Sequence, residues 1–222
     1  MNLVHISILW LIGASLIGFG ISAIFSGWLK LSRRLFLIPY IALSSLVLFL
    51  FLYNNPVVNI EFWFHNWYWG ILIWLLAGAF LIRNVSSQPF TQKEKGFHLY
   101  VDLLWFGFAY GVIDGLLLNV MPVIVIWNIF PSTLSEGSIT EQIGIGLIAI
   151  IASLMVTLFY HLGYSEFRNK SVLMVLLGNM IITLTFILSG NPLAAVLTHT
   201  TMHVAAVFRG PETTIQLPPH YQ

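Results

Sequence analysis

The 222 residues are 58% hydrophobic and only 8% charged, with a mean hydropathy of +0.89, far more apolar than a water-soluble domain of this size requires. The net charge of +1 and the absence of any Lys/Arg cluster exclude a nucleic-acid binder, which needs grouped cations against phosphates. With no cysteine in the chain, disulfides, thiolate metal sites and a Cys nucleophile are excluded too, leaving histidine, carboxylate and hydroxyl chemistry.

Seven apolar stretches, roughly residues 4–28, 35–53, 64–82, 98–120, 140–163, 171–188 and 192–208, are long enough to cross about 30 Å of hydrocarbon as helix. They predict an all-α integral membrane protein, a bundle of about seven transmembrane helices embedded in membrane lipids. No basic residue precedes the first stretch, which also exceeds the core of about 7–15 residues of a signal peptide, so it reads as a mature helix. Its Gly13, Gly20 and Gly27, at seven-residue spacing, read as a packing face, and His5 as interfacial. All nine Lys and Arg residues fall after helices one, three, five and seven: Lys30, Arg33 and Arg34; Arg83, Lys93 and Lys95; Arg168 and Lys170; and Arg209. This one-sided placement predicts an exterior N-terminus and a cytoplasmic C-terminus, and the expected location is the plasma membrane of a prokaryote.

Ahead of the third helix, Glu61–Trp69 (EFWFHNWYW) reads as an exterior aromatic belt that includes His65. The polar run Arg83–Gly96 reads as a cytoplasmic linker closing an N-terminal part, residues 1–96, before a four-helix core over 97–210. In the fourth helix Gly107, Gly111 and Gly115 share one face, which predicts close approach of a neighbouring backbone. Pro122 is expected to disrupt this helix, leaving VIVIWNIF as a re-entrant or interfacial piece. Glu136, Glu141 and His220 read as surface groups, Glu166 as part of a solvated turn with a secondary claim on the site, and the tail 211–222 as extended and solvent-facing, covering the cytoplasmic mouth of the bundle.

Polar groups inside apolar spans carry the functional signal. Asp114 lies in GFAYGVIDGLLLNV, His161 in IASLMVTLFYHLG, and His199 with His203 in PLAAVLTHTTMHVAAVF. An Asp at the bilayer centre costs roughly 2.5–3.5 kcal/mol on insertion scales, so such groups face protein interior and serve ions, protons or substrates. His199 and His203, four apart, share a helical face and can reach one ion or one water. His161, His199 and His203 with a carboxylate suit zinc or another divalent metal with an open position for water, or a metal-free site in which carboxylate and histidines act as general bases. Simple depth counting along straight helices places Asp114 apart from the histidines and makes Asp102 an alternative carboxylate at a better nominal depth, while His98 and Asp102, four apart, read equally as a self-contained pair near the interface.

The stretch FYHLGY, a helix containing Gly178, and SGNPLAAVLTHTTMHVAAVF resemble the C-terminal half of the CAAX-protease and bacteriocin-processing (CPBP) membrane proteins. The resemblance covers roughly Tyr110–Arg209. That family carries Glu-Glu-x-x-x-Arg, Phe-x-x-x-His and His-x-x-x-Asn motifs on successive helices. At the corresponding places this chain has Asp114, Gly115 and Asn119; Thr157 and His161; and His199 and His203. The resemblance implies an intramembrane hydrolase acting on a membrane-inserted peptide or protein, with Asp114, His161, His199 and His203 as the catalytic set and Asn119 secondary. The missing acid pair and arginine leave open a non-catalytic scaffold or immunity-like protein on the same fold. A haem-binding or transport protein, with His161 and His199 or His203 as axial ligands, is the third alternative.

Overall fold

The computed structural model describes residues 3–55, 58–210, 212 and 215–220, so the ends of the expected tail lie outside the described residues. Every regular element among these is helical. The chain forms α1 (Leu3–Ile21), extended by a π-helical stretch Ser22–Trp28, then α2 (Arg33–Tyr53), a short α3 (Ile60–Phe64) and α4 (Trp67–Ser86). A single rod over Phe97–Ile129 follows, in which α5 (Phe97–Asp102), α6 (Tyr110–Asp114) and α7 (Met121–Ile129) alternate with π-helical stretches Leu103–Ala109 and Gly115–Val120. The short α8 (Pro131–Glu136) leads to α9 (Ile139–Leu162), α10 (Ser171–Ser189) and α11 (Pro192–Arg209).

Local chemistry sets the boundaries. Ser138 and Glu141 close a reciprocal capping box at the start of α9, satisfying backbone N–H groups that have no intrahelical partner. Gly190 ends α10 at φ +64°, a left-handed cap that glycine adopts without cost. Asn191 then starts α11 by accepting from the Leu193 N–H, with Pro192 in the first turn. The Asn191 amide also donates to the carbonyls of Trp63 (2.9 Å) and His65 (2.6 Å), tying the head of α11 to the α3–α4 turn.

Among the described residues, six helices are long and apolar enough to cross a membrane: Val4–Trp28, α2, α4, the rod, α9 and α10. Leu16, Phe49, Leu76, Ile151 and Leu177 are exposed on the outer helices, part of an apolar surface that water would not tolerate and hydrocarbon accepts. The seventh apolar stretch is also a helix, α11, but it falls outside that set because its histidines, threonines and Arg209 lower its mean hydropathy. It packs against α4, α6, α10 and both π-helical stretches of the rod, so its surface meets protein and carries Thr and His without cost to a lipid contact.

The rod corrects the expected break at Pro122. The helix runs on through Val123–Ile126, all buried. The π-helical turn just before Pro122 shifts the hydrogen-bond register where proline lacks its N–H and crowds the preceding turn. One end of the bundle collects basic groups from several segments. Arg34 meets Asp102 (3.0 Å) and Glu94 (3.8 Å), Arg33 meets Glu212 (3.3 Å), and Arg209 donates to the Gln88 carbonyl (2.6 Å).

Candidate functional site

The site forms where the rod crosses α11. A methyl group at Gly111 would come within 2.7 Å of the Thr200 Cα, and one at Gly115 within 3.0 Å of the Val196 Cα. The glycine face thus lets the two backbones touch, and the partner it was shaped for is the helix bearing His199 and His203. This approach sets Asp114 Oδ2 at 3.7 Å from the Nε2 atoms of both His199 and His203. All three side chains are buried, and one ligand atom from each lies within 4.8 Å of the others.

Depth counting misplaces Asp114 because the rod begins beyond the end of α11: Gly107 lies against Val204 and Gly111 against Thr200, so the two helix ends are not level. In a regular α-helix, residues five apart point about 140° away from each other. The wider turn over Gly115–Val120 lets Asp114 and Asn119 both address α11: Asn119 Oδ1 is 2.8 Å from His199 Nδ1. Two such stretches flank α6, and π-bulges concentrate at functional sites for this reason.

Each group is held from behind. Tyr40 of α2 donates to Asp114 Oδ1 at 2.5 Å, leaving Oδ2 toward the histidines. His203 Nδ1 lies 3.3 Å from the Phe106 carbonyl, and the Tyr110 ring meets the His203 imidazole edge-on at 4.7 Å. Asn119 Nδ2 donates to Asn179 Oδ1 (2.8 Å) and Thr183 Oγ1 (2.9 Å), Asn179 Nδ2 donates to Ser153 Oγ (2.9 Å), and Ser153 donates to the Leu118 carbonyl (2.6 Å). Partners behind a metal-binding or catalytic imidazole fix its ring and tautomer in this way.

Asp114, His199 and His203 open on a cavity of about 50 Å³, room for one or two waters at about 30 Å³ each. His161 and Thr157 line it as well. His161 donates from Nδ1 to the Thr157 carbonyl at 2.9 Å, while the buried Thr157 hydroxyl has no protein partner. Ile215, Gln216 and Pro218 complete the wall. The segment is latched by Arg33, whose Nε donates to the Leu217 carbonyl at 2.5 Å, by Gln88 on Gln216 (3.1 Å), and by the His220–Glu166 pair (2.9 Å).

Several sequence expectations change here. The described stretch of the tail over 215–220 is turned inward: Leu217 is fully buried, because its side chain and carbonyl both find partners inside the bundle. Asp102 is not at the site and does not pair with His98; it takes the Arg34 guanidinium at 3.0 Å. Glu166 does not line the cavity and instead pairs with His220, which is therefore no free surface group. His161 shares the cavity but is not a member of the Asp114–His199–His203 ligand group, so the set that can hold one metal ion is two imidazoles and a carboxylate, in place of three imidazoles. Sequence reasoning missed Tyr40, Asn179 and Ser153. A lone asparagine in the apolar run LLGNMIITL was a legible signal for Asn179; nothing in the sequence distinguished Tyr40 or Ser153. No family model matches the chain, and no curated protein or solved structure matches it either.

Proposed function

We propose that the protein is an intramembrane hydrolase related in its scaffold to the CPBP proteases, cleaving a peptide C–N bond of a membrane-inserted peptide or protein. The observation that carries the reading is the convergence of Asp114 Oδ2 with the Nε2 atoms of His199 and His203, at 3.7 Å each, on a cavity of water size whose wall holds the unpartnered Thr157 hydroxyl. In the reaction, water in the cavity gives a proton to Asp114 or to an imidazole Nε2. The resulting hydroxide adds to the substrate carbonyl carbon, and the proton is returned to the leaving nitrogen. A cavity of about 50 Å³ suits water or a single ion and is far smaller than a macrocycle, which disfavours the haem alternative.

Within this reading α11 is the seventh spanning element, the basic end of the bundle is cytoplasmic, the N-terminus is exterior, and the residence is the plasma membrane of a prokaryote. The four-helix core over 97–210 carries the chemistry and the part before it completes the lipid-facing shell. The test is turnover of membrane-inserted peptide substrates by the purified chain. Asp114→Asn keeps the shape but is no base and should abolish turnover, whereas Asp102→Asn should retain it. Equal activity of Asp114→Asn and the unaltered chain would remove the role, and turnover by neither, across a broad peptide library, would favour the non-catalytic scaffold.

A further inference from the structure

We infer that Asp114, His199 and His203 bind one divalent transition-metal ion of the zinc class through Oδ2 and the two Nε2 atoms, with the remaining positions open to water. The inference deepens the hydrolase reading and rests on the same site. Its first support is the direction of the hydrogen bonds, which can be followed from a fixed end. The Leu118 carbonyl can only accept, so the Ser153 hydroxyl at 2.6 Å donates to it and must accept from Asn179 Nδ2 at 2.9 Å. That orients Asn179 Oδ1 to accept from Asn119 Nδ2 at 2.8 Å, which leaves Asn119 Oδ1 to accept from His199 Nδ1 at 2.8 Å. The proton of neutral His199 is thereby placed on Nδ1, and its Nε2 carries a lone pair toward Asp114.

His203 reaches the same state by a shorter route, because the Phe106 carbonyl 3.3 Å from its Nδ1 can only accept. Asp114 Oδ1 is engaged by the Tyr40 hydroxyl, so Oδ2 is the free acceptor. Three acceptor atoms on three buried side chains therefore lie within 4.8 Å of one another. A proton shared between Oδ2 and an imidazole would draw the pair to about 2.7–2.9 Å, whereas both separations are 3.7 Å. Two ligands each about 2.1 Å from a tetrahedral ion stand about 3.4 Å apart, within a few tenths of an ångström of the observed spacing. Two imidazoles and one carboxylate favour zinc and its first-row neighbours over calcium or magnesium, which prefer all-oxygen shells. The adjoining cavity of about 50 Å³ supplies room for bound water.

The test uses the full chain without a histidine tag, purified in detergent, stripped with chelator and titrated with Co(II) as a spectroscopic probe. The expected result is one ion per chain with the visible absorption of a low-coordinate nitrogen and oxygen site, displaced by Zn(II). His203→Gln and Asp114→Asn should each weaken binding at least 100-fold, and Asp102→Asn should leave it unchanged. Asn119→Ala, which removes the partner behind His199 together with its bonds to Asn179 and Thr183, should weaken it by about 10–100-fold. A monodisperse, helical wild-type chain that binds no Co(II), or binding undiminished in both His203→Gln and Asp114→Asn, overturns the inference. Stoichiometric binding without peptide hydrolysis supports the metal site while refuting the hydrolase. Hydrolysis that survives exhaustive chelation yet is lost in Asp114→Asn does the reverse.

Discussion

Gly111→Ala probes the contact that assembles the site. A methyl there would approach the Thr200 Cα to 2.7 Å and the His203 Cβ to 3.3 Å, against ordinary carbon contacts of about 3.5–4.0 Å. The nearer atom is backbone, so relief requires α11 to retreat by about 1 Å from the rod. Overpacking of this kind costs about 1–3 kcal/mol, while the same exchange at an uncrowded helical position gains about 0.5–1 kcal/mol by removing glycine's excess freedom. Gly20→Ala is the matched control, since nothing lies within 4 Å of a methyl at that position. Thermal unfolding of the detergent-solubilised chains should therefore show Gly20→Ala at or above the unaltered protein and Gly111→Ala below it, a difference of about 2 kcal/mol between the two. Because His199 and His203 ride on α11, the same displacement should lengthen their 3.7 Å spacing to Asp114 and lower Co(II) affinity at least tenfold. Equal stabilisation by both substitutions, with binding intact, would refute the close-approach argument.

Two further expectations concern the strap and the topology. A single cysteine at Leu217, buried and held through its carbonyl by Arg33, should react slowly with a water-soluble maleimide, and adding Arg33→Gln should accelerate the labelling several-fold; an unchanged rate would show that the latch does not hold the segment. Cysteines placed singly at Ser86 and Ser138, in a chain that has none of its own, should label from opposite faces of sealed vesicles, and labelling of both from one face would reject the proposed orientation.

Membrane residence was written in composition, because helices such as α2 and α10 present apolar side chains to their surroundings all along their length and no packing detail alters that. The HxxxH pair and Asp114 were equally legible, since a costly polar group in an apolar span stands out whatever it touches. The glycine ladder announced a close helix neighbour without naming it. What the sequence left undecided was depth and rotation. Regular helical counting separates Asp114 from the histidines and turns Asn119 away from them; the register of the glycine face on α11, with Gly111 against Thr200 and Gly115 against Val196, sets the depth, and the π-helical stretch Gly115–Val120 turns Asn119 toward His199. Tertiary packing likewise chose Arg34 as the partner of Asp102, drew Tyr40 to Asp114 and folded Leu217 inward. Each of these joins residues distant in the chain, and hydrophobic periodicity, which reports only whether a side chain is sheltered, carries no information on which neighbour shelters it.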